Sequence, residues 1–110
     1  MDNCSDFIKK REFLNNLIFD KGNTQTKRFF NLDSMAYKGG EIPMKYKELM
    51  GLVGSLVLRC NDCIAYHIFQ CKKNGVSDGE FTEACDIGLI IGGSIVIPHL
   101  REAYKVWFED

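Results

Sequence analysis

Proline is scarce in this chain, with two in 110 residues, so long helices can run without interruption. Alternation of apolar and polar side chains over the length of a strand is missing as well; the β-branched stretch Ile95-Val96-Ile97 is the one ambiguous segment. Neither sign of charge is in excess: 14 basic against 15 acidic residues give a formal net charge of −1. Such a chain has no long-range field to gather phosphate backbone or anionic lipid, so nucleic acid and membrane surface are not expected partners. No apolar run reaches the ~18 to 20 residues that span a bilayer. The longest, Leu49 to Leu58, fits a buried helix. Met1-Asp2-Asn3-Cys4-Ser5-Asp6 lacks the basic and apolar regions of a secretory signal, which makes the cytoplasm the expected location. Internal repeats and low-complexity stretches are absent.

What is present is one domain's worth of helical pattern and five cysteines. A chain of this size buries roughly 60 to 68% of the surface it exposes unfolded, a thin core for which association between subunits is expected. An odd set of cysteines in a reducing compartment is a poor disulfide framework, and a close pair among them points to redox or metal chemistry.

Periodicity predicts an all-α bundle of about six helices occupying the whole chain, 1–110, as a single domain. The first runs from about Asp6 to Asp20 with Phe7, Phe13, Leu14, Leu17 and Ile18 on its apolar side; the second runs from about Thr24 to Lys38 and stops at Gly39-Gly40. Pro43 suits the first turn of a third helix reaching about Arg59, which turns apolar all round after Glu48 and is expected to be central. Gly51, Gly54 and Ser55 share one of its faces and predict close helix packing there. A fourth helix begins near Cys60 to Asp62 and ends at Asn74-Gly75, the glycine as its cap. Ser77-Asp78-Gly79-Glu80 has the capping-box pattern for a fifth, which Gly92-Gly93 closes or kinks, and the last starts around Pro98.

The chemically informative stretch is Cys60-Asn61-Asp62-Cys63-Ile64-Ala65-Tyr66-His67. Two cysteines three positions apart at a helix start share a face and stand close enough to join with little backbone movement. The unpaired N–H groups and partial positive charge of a helix amino terminus favour thiolate, the species that attacks a peroxide or a disulfide. His67, one turn beyond Cys63, can exchange a proton with the sulfur directly or through one water.

These residues resemble the alkylhydroperoxidase D and carboxymuconolactone decarboxylase superfamily. Its redox-active branch carries a glutamate on one helix and CxxCxxxH at the start of the next, and here Glu48 lies twelve residues before Cys60. The resemblance covers about Pro43 to Glu102. It implies an all-helical fold, trimers or hexamers with sites near subunit contacts, and a reaction needing no bound organic cofactor. It further implies that Glu48 and His67 relay a proton, that Cys63 is the inner thiol they activate, and that Cys60 is its more exposed partner. A hydroperoxide would be reduced and the resulting Cys60–Cys63 disulfide re-reduced by an external dithiol. One position departs from the best-characterised branch, which has a further histidine between the cysteines where Asp62 stands; a carboxylate there opposes the helix-terminus effect on a thiolate. Counted from a hairpin turn at Cys60, Glu48 and His67 are offset by five residues, about 7 Å, which a tilt, a water or an extended glutamate has to close.

Other readings compete. Zinc held by Cys60, Cys63, His67 and Cys71 fails on one straight helix, since Cys63 and Cys71 are about 12 Å apart along it, and only a three-ligand or intersubunit site survives. Cys71 and Cys85 read as core packing, Cys4 as an idle thiol, and His99 as a surface or capping residue. Lys9-Lys10-Arg11 is a solvated face, and Tyr104, Trp107 and Phe108 form a packing side. Gly92-Gly93 lacks the strand and spacing of a dinucleotide loop. Against the peroxidase or disulfide oxidoreductase stand a non-enzymatic redox-sensing or metal-holding protein, and a decarboxylase-type acid–base enzyme of the same superfamily, whose members usually lack the cysteine pair.

Overall fold

Three of the helices begin where a side chain, that of Asn23, Cys60 or Ser77, caps the first turn. In the computed structural model, which describes residues 4–109 with side chains from Asp6 to Glu109, the helices are α1 (Cys4–Lys21), α2 (Thr24–Tyr37), α3 (Met44–Val57), α4 (Asn61–Lys73), α5 (Asp78–Gly92) and α6 (Ile97–Glu109). Among the described residues there is no strand, so the fold is all-α as expected. The ambiguous Ile95-Val96-Ile97 stretch closes a short 3-10 turn, Ser94–Val96, and opens α6. The side chain of Cys4, read above as an idle thiol, lies outside those described. None of the helices described is long and apolar enough to cross a membrane.

The chain divides into two compact units, one up to Lys38 and one from Gly39 on. In the first, Asn23 caps α2 by accepting the Thr26 N–H at 3.1 Å, and Phe19 meets Phe30 edge to face. No residue of α2 is buried, and Phe13, Phe29 and Leu32 remain largely exposed.

In the second unit α3 packs against both α4 and α5, and α6 lies against α4. Leu52 and Leu56 of α3, Ile64 and Ile68 of α4, Phe81 of α5 and Ala103 of α6 are fully enclosed. Trp107 stacks on Phe81 with centroids 4.4 Å apart, and its indole N–H donates to Asp78 at 2.8 Å. Tyr104 also packs on Phe81, so this part of the aromatic side of α6 is core, whereas half of Phe108 is exposed. The expected capping box is complete: Ser77 accepts from the Glu80 amide at 3.0 Å and Glu80 accepts from the Ser77 amide at 2.9 Å. Two expectations need adjusting. Pro43 caps α3 from outside the helix rather than lying in its first turn, and Asn74 is the cap of α4 while Gly75 follows at φ +78°.

The central placement of α3 holds, but its neighbours cover only part of its circumference, leaving Tyr46 and Met50 exposed. The close approach expected at Gly54 is not there, since a Cβ on Gly54 would meet open space. It occurs instead at Gly88 of α5, where an added Cβ would stand 3.2 Å from Leu56 Cδ1. Ser55 on the same stripe is buried and turns its hydroxyl back to the Gly51 carbonyl, 2.7 Å away.

Candidate active site

The turn from α3 to α4 places the cysteines. Leu58 ends α3, Arg59 takes a left-handed conformation at φ +59°, and the chain reverses. The Arg59 amide donates to Leu56 O and the Cys60 amide to Ser55 O, both at 3.0 Å, the paired bonds of a Schellman motif. Cys60 is thus tied to the end of α3 and at the same time caps α4, its Sγ accepting the Cys63 amide at 3.2 Å. Cys60 and Cys63 are joined as a disulfide with Cα atoms 5.3 Å apart.

Exposure of the two sulfur residues reverses the expectation. Cys60 is half-buried and Cys63 exposed in the chain taken alone. The cause is local: Cys60 is drawn in by bonds to the ends of both helices, while Cys63 sits on the outer side of the first turn of α4, next to exposed Asp62.

One turn along α4 the helix face turns inward. His67 and Glu48 are both buried, and His67 Nδ1 lies 2.8 Å from Glu48 Oε1. A carboxylate accepts, so the ring donates through Nδ1–H and Nε2 is set as its second proton-exchange position. No bridging water is needed. Counted from the helix ends, Glu48 is nine residues before Val57 and His67 six after Asn61, an offset of three residues or about 4.5 Å, which the two side chains span. Tyr66 packs edge to face on the His67 ring at 5.2 Å.

Beyond His67 the stripe ends in hydrocarbon. Cys71 and Cys85 are buried free thiols. Burial pushes both up to about 12; the Glu48 carboxylate and then Cys85 add to the effect on Cys71, and Asp86 to that on Cys85. Among the described residues no three His, Cys, Asp or Glu side chains gather into a metal-holding group. His99, expected as a surface or capping residue, is half-buried and hydrogen-bonded through Nδ1 to Asn61 Oδ1 at 2.7 Å. Asn61 stands between the two cysteines, and nothing local in the sequence signals a contact across 38 positions. All these groups lie in the unit from Gly39 on.

A buried carboxylate–imidazole pair behind a cysteine pair at a helix entrance can hold a proton close to two redox-active sulfurs. The chain is similar to proteins in which the same fold recurs. Two crystal structures of one Thermotoga maritima protein share 54% of its residues, with TM-scores of 0.92 and 0.90. Both cover 94% of this chain, and 90% and 87% of the other. That protein is described as a carboxymuconolactone decarboxylase family protein for which a part in the antioxidative response has been suggested. A Legionella pneumophila protein of the same family, 22% identical over 96% of this chain and 95% of its own, has the fold at a TM-score of 0.87. No curated protein matches. The model of the carboxymuconolactone decarboxylase family itself matches residues 26–105, which include every residue of the site described here, and the chain belongs to that family.

Proposed function

We propose that the protein is a thiol-dependent peroxidase of the alkylhydroperoxidase D-like type, reducing hydroperoxides at the expense of an external dithiol in a reducing, cytoplasmic setting. The observation that carries the reading is the buried 2.8 Å Glu48–His67 pair one turn behind a cysteine pair already within bonding reach. The antioxidative role suggested for the Thermotoga maritima relative supports it.

In the oxidative half, the Cys63 thiolate attacks the terminal peroxide oxygen. The O–O bond breaks, Cys63 becomes a sulfenic acid, and the departing alkoxide takes a proton from His67, whose charge Glu48 stabilises. The Cys60 thiol then condenses with the sulfenic acid, forming the S–S bond and releasing water. In the reductive half, an external thiolate attacks the exposed Cys63 sulfur and Cys60 leaves as thiolate. The leaving sulfur is the one that already accepts a backbone N–H at the start of α4, where negative charge is favoured. A second external thiol releases Cys63 as the reductant closes its own disulfide. The exposed apolar side chains fit assembly into a trimer or hexamer.

The test is mass mapping of thiols before and after one equivalent of cumene hydroperoxide, with turnover measured under dithiothreitol. Wild type is expected to gain a Cys60–Cys63 disulfide and Cys63→Ser to lose it. His67→Ala is expected to slow peroxide-driven oxidation by about 100-fold or more, and Glu48→Gln by a smaller factor in the same direction. Oxidation scattered over Cys4, Cys71 and Cys85 would sink the assignment. Sub-stoichiometric zinc with no turnover would replace it by the redox-sensing or metal-holding reading.

A further inference from the structure

The turn that carries both sulfurs is held from two sides. From α3 comes the backbone bond between the Cys60 amide and Ser55 O. From α6 comes His99, whose Nδ1–H donates to the Asn61 carboxamide oxygen at 2.7 Å. Asn61 is the first residue of α4 and the neighbour of Cys60, so the second hold acts on the four-residue loop that a disulfide closes. Docking of α6 does not depend on this contact. That helix is seated by buried Ala103 and by Trp107 stacked on Phe81, both farther along it. A solvent-accessible bond at its entrance therefore has its main effect where it ends, on the shape of the cysteine turn.

Two thiols close to a disulfide at an equilibrium set by how often the chain brings them together in bonding geometry; restraint of the turn raises that frequency. We propose that His99 is a positioning residue for the Cys60–Cys63 pair. Through Asn61 it keeps the first turn of α4 in the shape in which the sulfurs meet, which favours the disulfide and lowers the pair's reduction potential. The inference rests on the dithiol–disulfide reading given above and adds to it a residue that touches neither sulfur.

The test equilibrates the full-length protein in glutathione buffers of graded ratio and reads the disulfide fraction by mass. Cys60 and Cys63 together give two electrons and two protons to one glutathione disulfide, forming their S–S bond and two glutathione thiols. His99→Ala and Asn61→Ala are each expected to lower the equilibrium constant for disulfide formation by about three- to tenfold, a rise of roughly 15 to 30 mV at 29.6 mV per decade. His99→Asn places an amide N–H where Nδ1 stood and is expected to stay within about twofold of wild type. The double alanine variant is expected to fall no lower than the weaker single one, because both remove the same bond. An unchanged constant in His99→Ala, or effects that add in the double variant, would overturn the proposal. Should His99→Ala fold poorly, Asn61→Ala and His99→Asn read the same quantity from the other side. A wild type in which Cys60 and Cys63 do not interconvert at all would overturn the functional reading instead.

Discussion

Cys71 and Cys85 sit where a thiolate has no solvation to stabilise it, and burial holds both thiols up near 12. Cys60 and Cys63 lie at a helix amino terminus with backbone N–H groups to hand. In the reduced native protein at pH 7 to 8, iodoacetamide is therefore expected to modify Cys60 or Cys63 at least about 100-fold faster than Cys71 or Cys85, and the buried pair to react only after denaturation. Site-resolved mass spectrometry checks this, and prompt native labelling of Cys71 would contradict it. The separation was legible in the sequence, because Cys60 and Cys63 stand three positions apart at a helix start, whereas Cys71 and Cys85 have no such partner and read as core packing. The direct Glu48–His67 contact was not, since counting to a turn at Cys60 overlooks that the turn itself takes up Leu58 to Cys60. The His99–Asn61 bond had no signal at all: it joins exposed ends of helices that no periodicity aligns.

Among the elements, the α3–α4 turn carries the one described non-glycine residue at positive φ, Arg59. A side chain in that conformation costs roughly 1 kcal/mol, which glycine avoids. Arg59→Gly is expected to raise stability by up to about 1 kcal/mol, less the entropy that glycine adds to the unfolded chain, seen as an increase of a few °C in the melting midpoint. A lower midpoint would mean that the arginine side chain contributes more than its backbone costs. At the start of α5, Glu80 accepts from the Ser77 amide and pairs with Lys45 of α3 at 2.9 Å. The backbone bond first, and Lys45 after it, hold the Glu80 carboxyl below its ordinary value of 4.5. A depressed carboxyl lends stability that is complete above that value and is lost as the pH falls below it. Glu80→Gln is thus expected to flatten the acid side of the melting-midpoint profile while leaving the slope above pH 6 unchanged. The capping box that creates this behaviour was plain in Ser77-Asp78-Gly79-Glu80, since its geometry is local. The Lys45 partner and the Gly88–Leu56 approach were not, because a stripe of small residues on α3 does not say which side of it a neighbour occupies.

Beyond its core the protein carries apolar surface that its own helices leave in water. On α5, Ile87, Ile90 and Ile91 fall at steps of three and four and are 55, 81 and 63% exposed, and Ile95 just beyond the helix is 56% exposed. A stripe of this kind is costly to leave in water for a chain whose core is as small as this one's. It is the packing of α5 against α3 that turns these side chains away from the core. Self-association through this stripe is the expected outcome, with sedimentation velocity at micromolar concentration giving a trimer or hexamer. Burying one such isoleucine is worth about 1.5 to 3 kcal/mol, so Ile90→Glu, which adds an unpaired charge, is expected to weaken association by tenfold or more. Ile90 is largely exposed and is not part of the buried core, and the variant should therefore keep the helical content and melting cooperativity of the wild type. A wild type that sediments as a monomer, or an Ile90→Glu variant that assembles as tightly as its parent, would show that this stripe is not where copies meet.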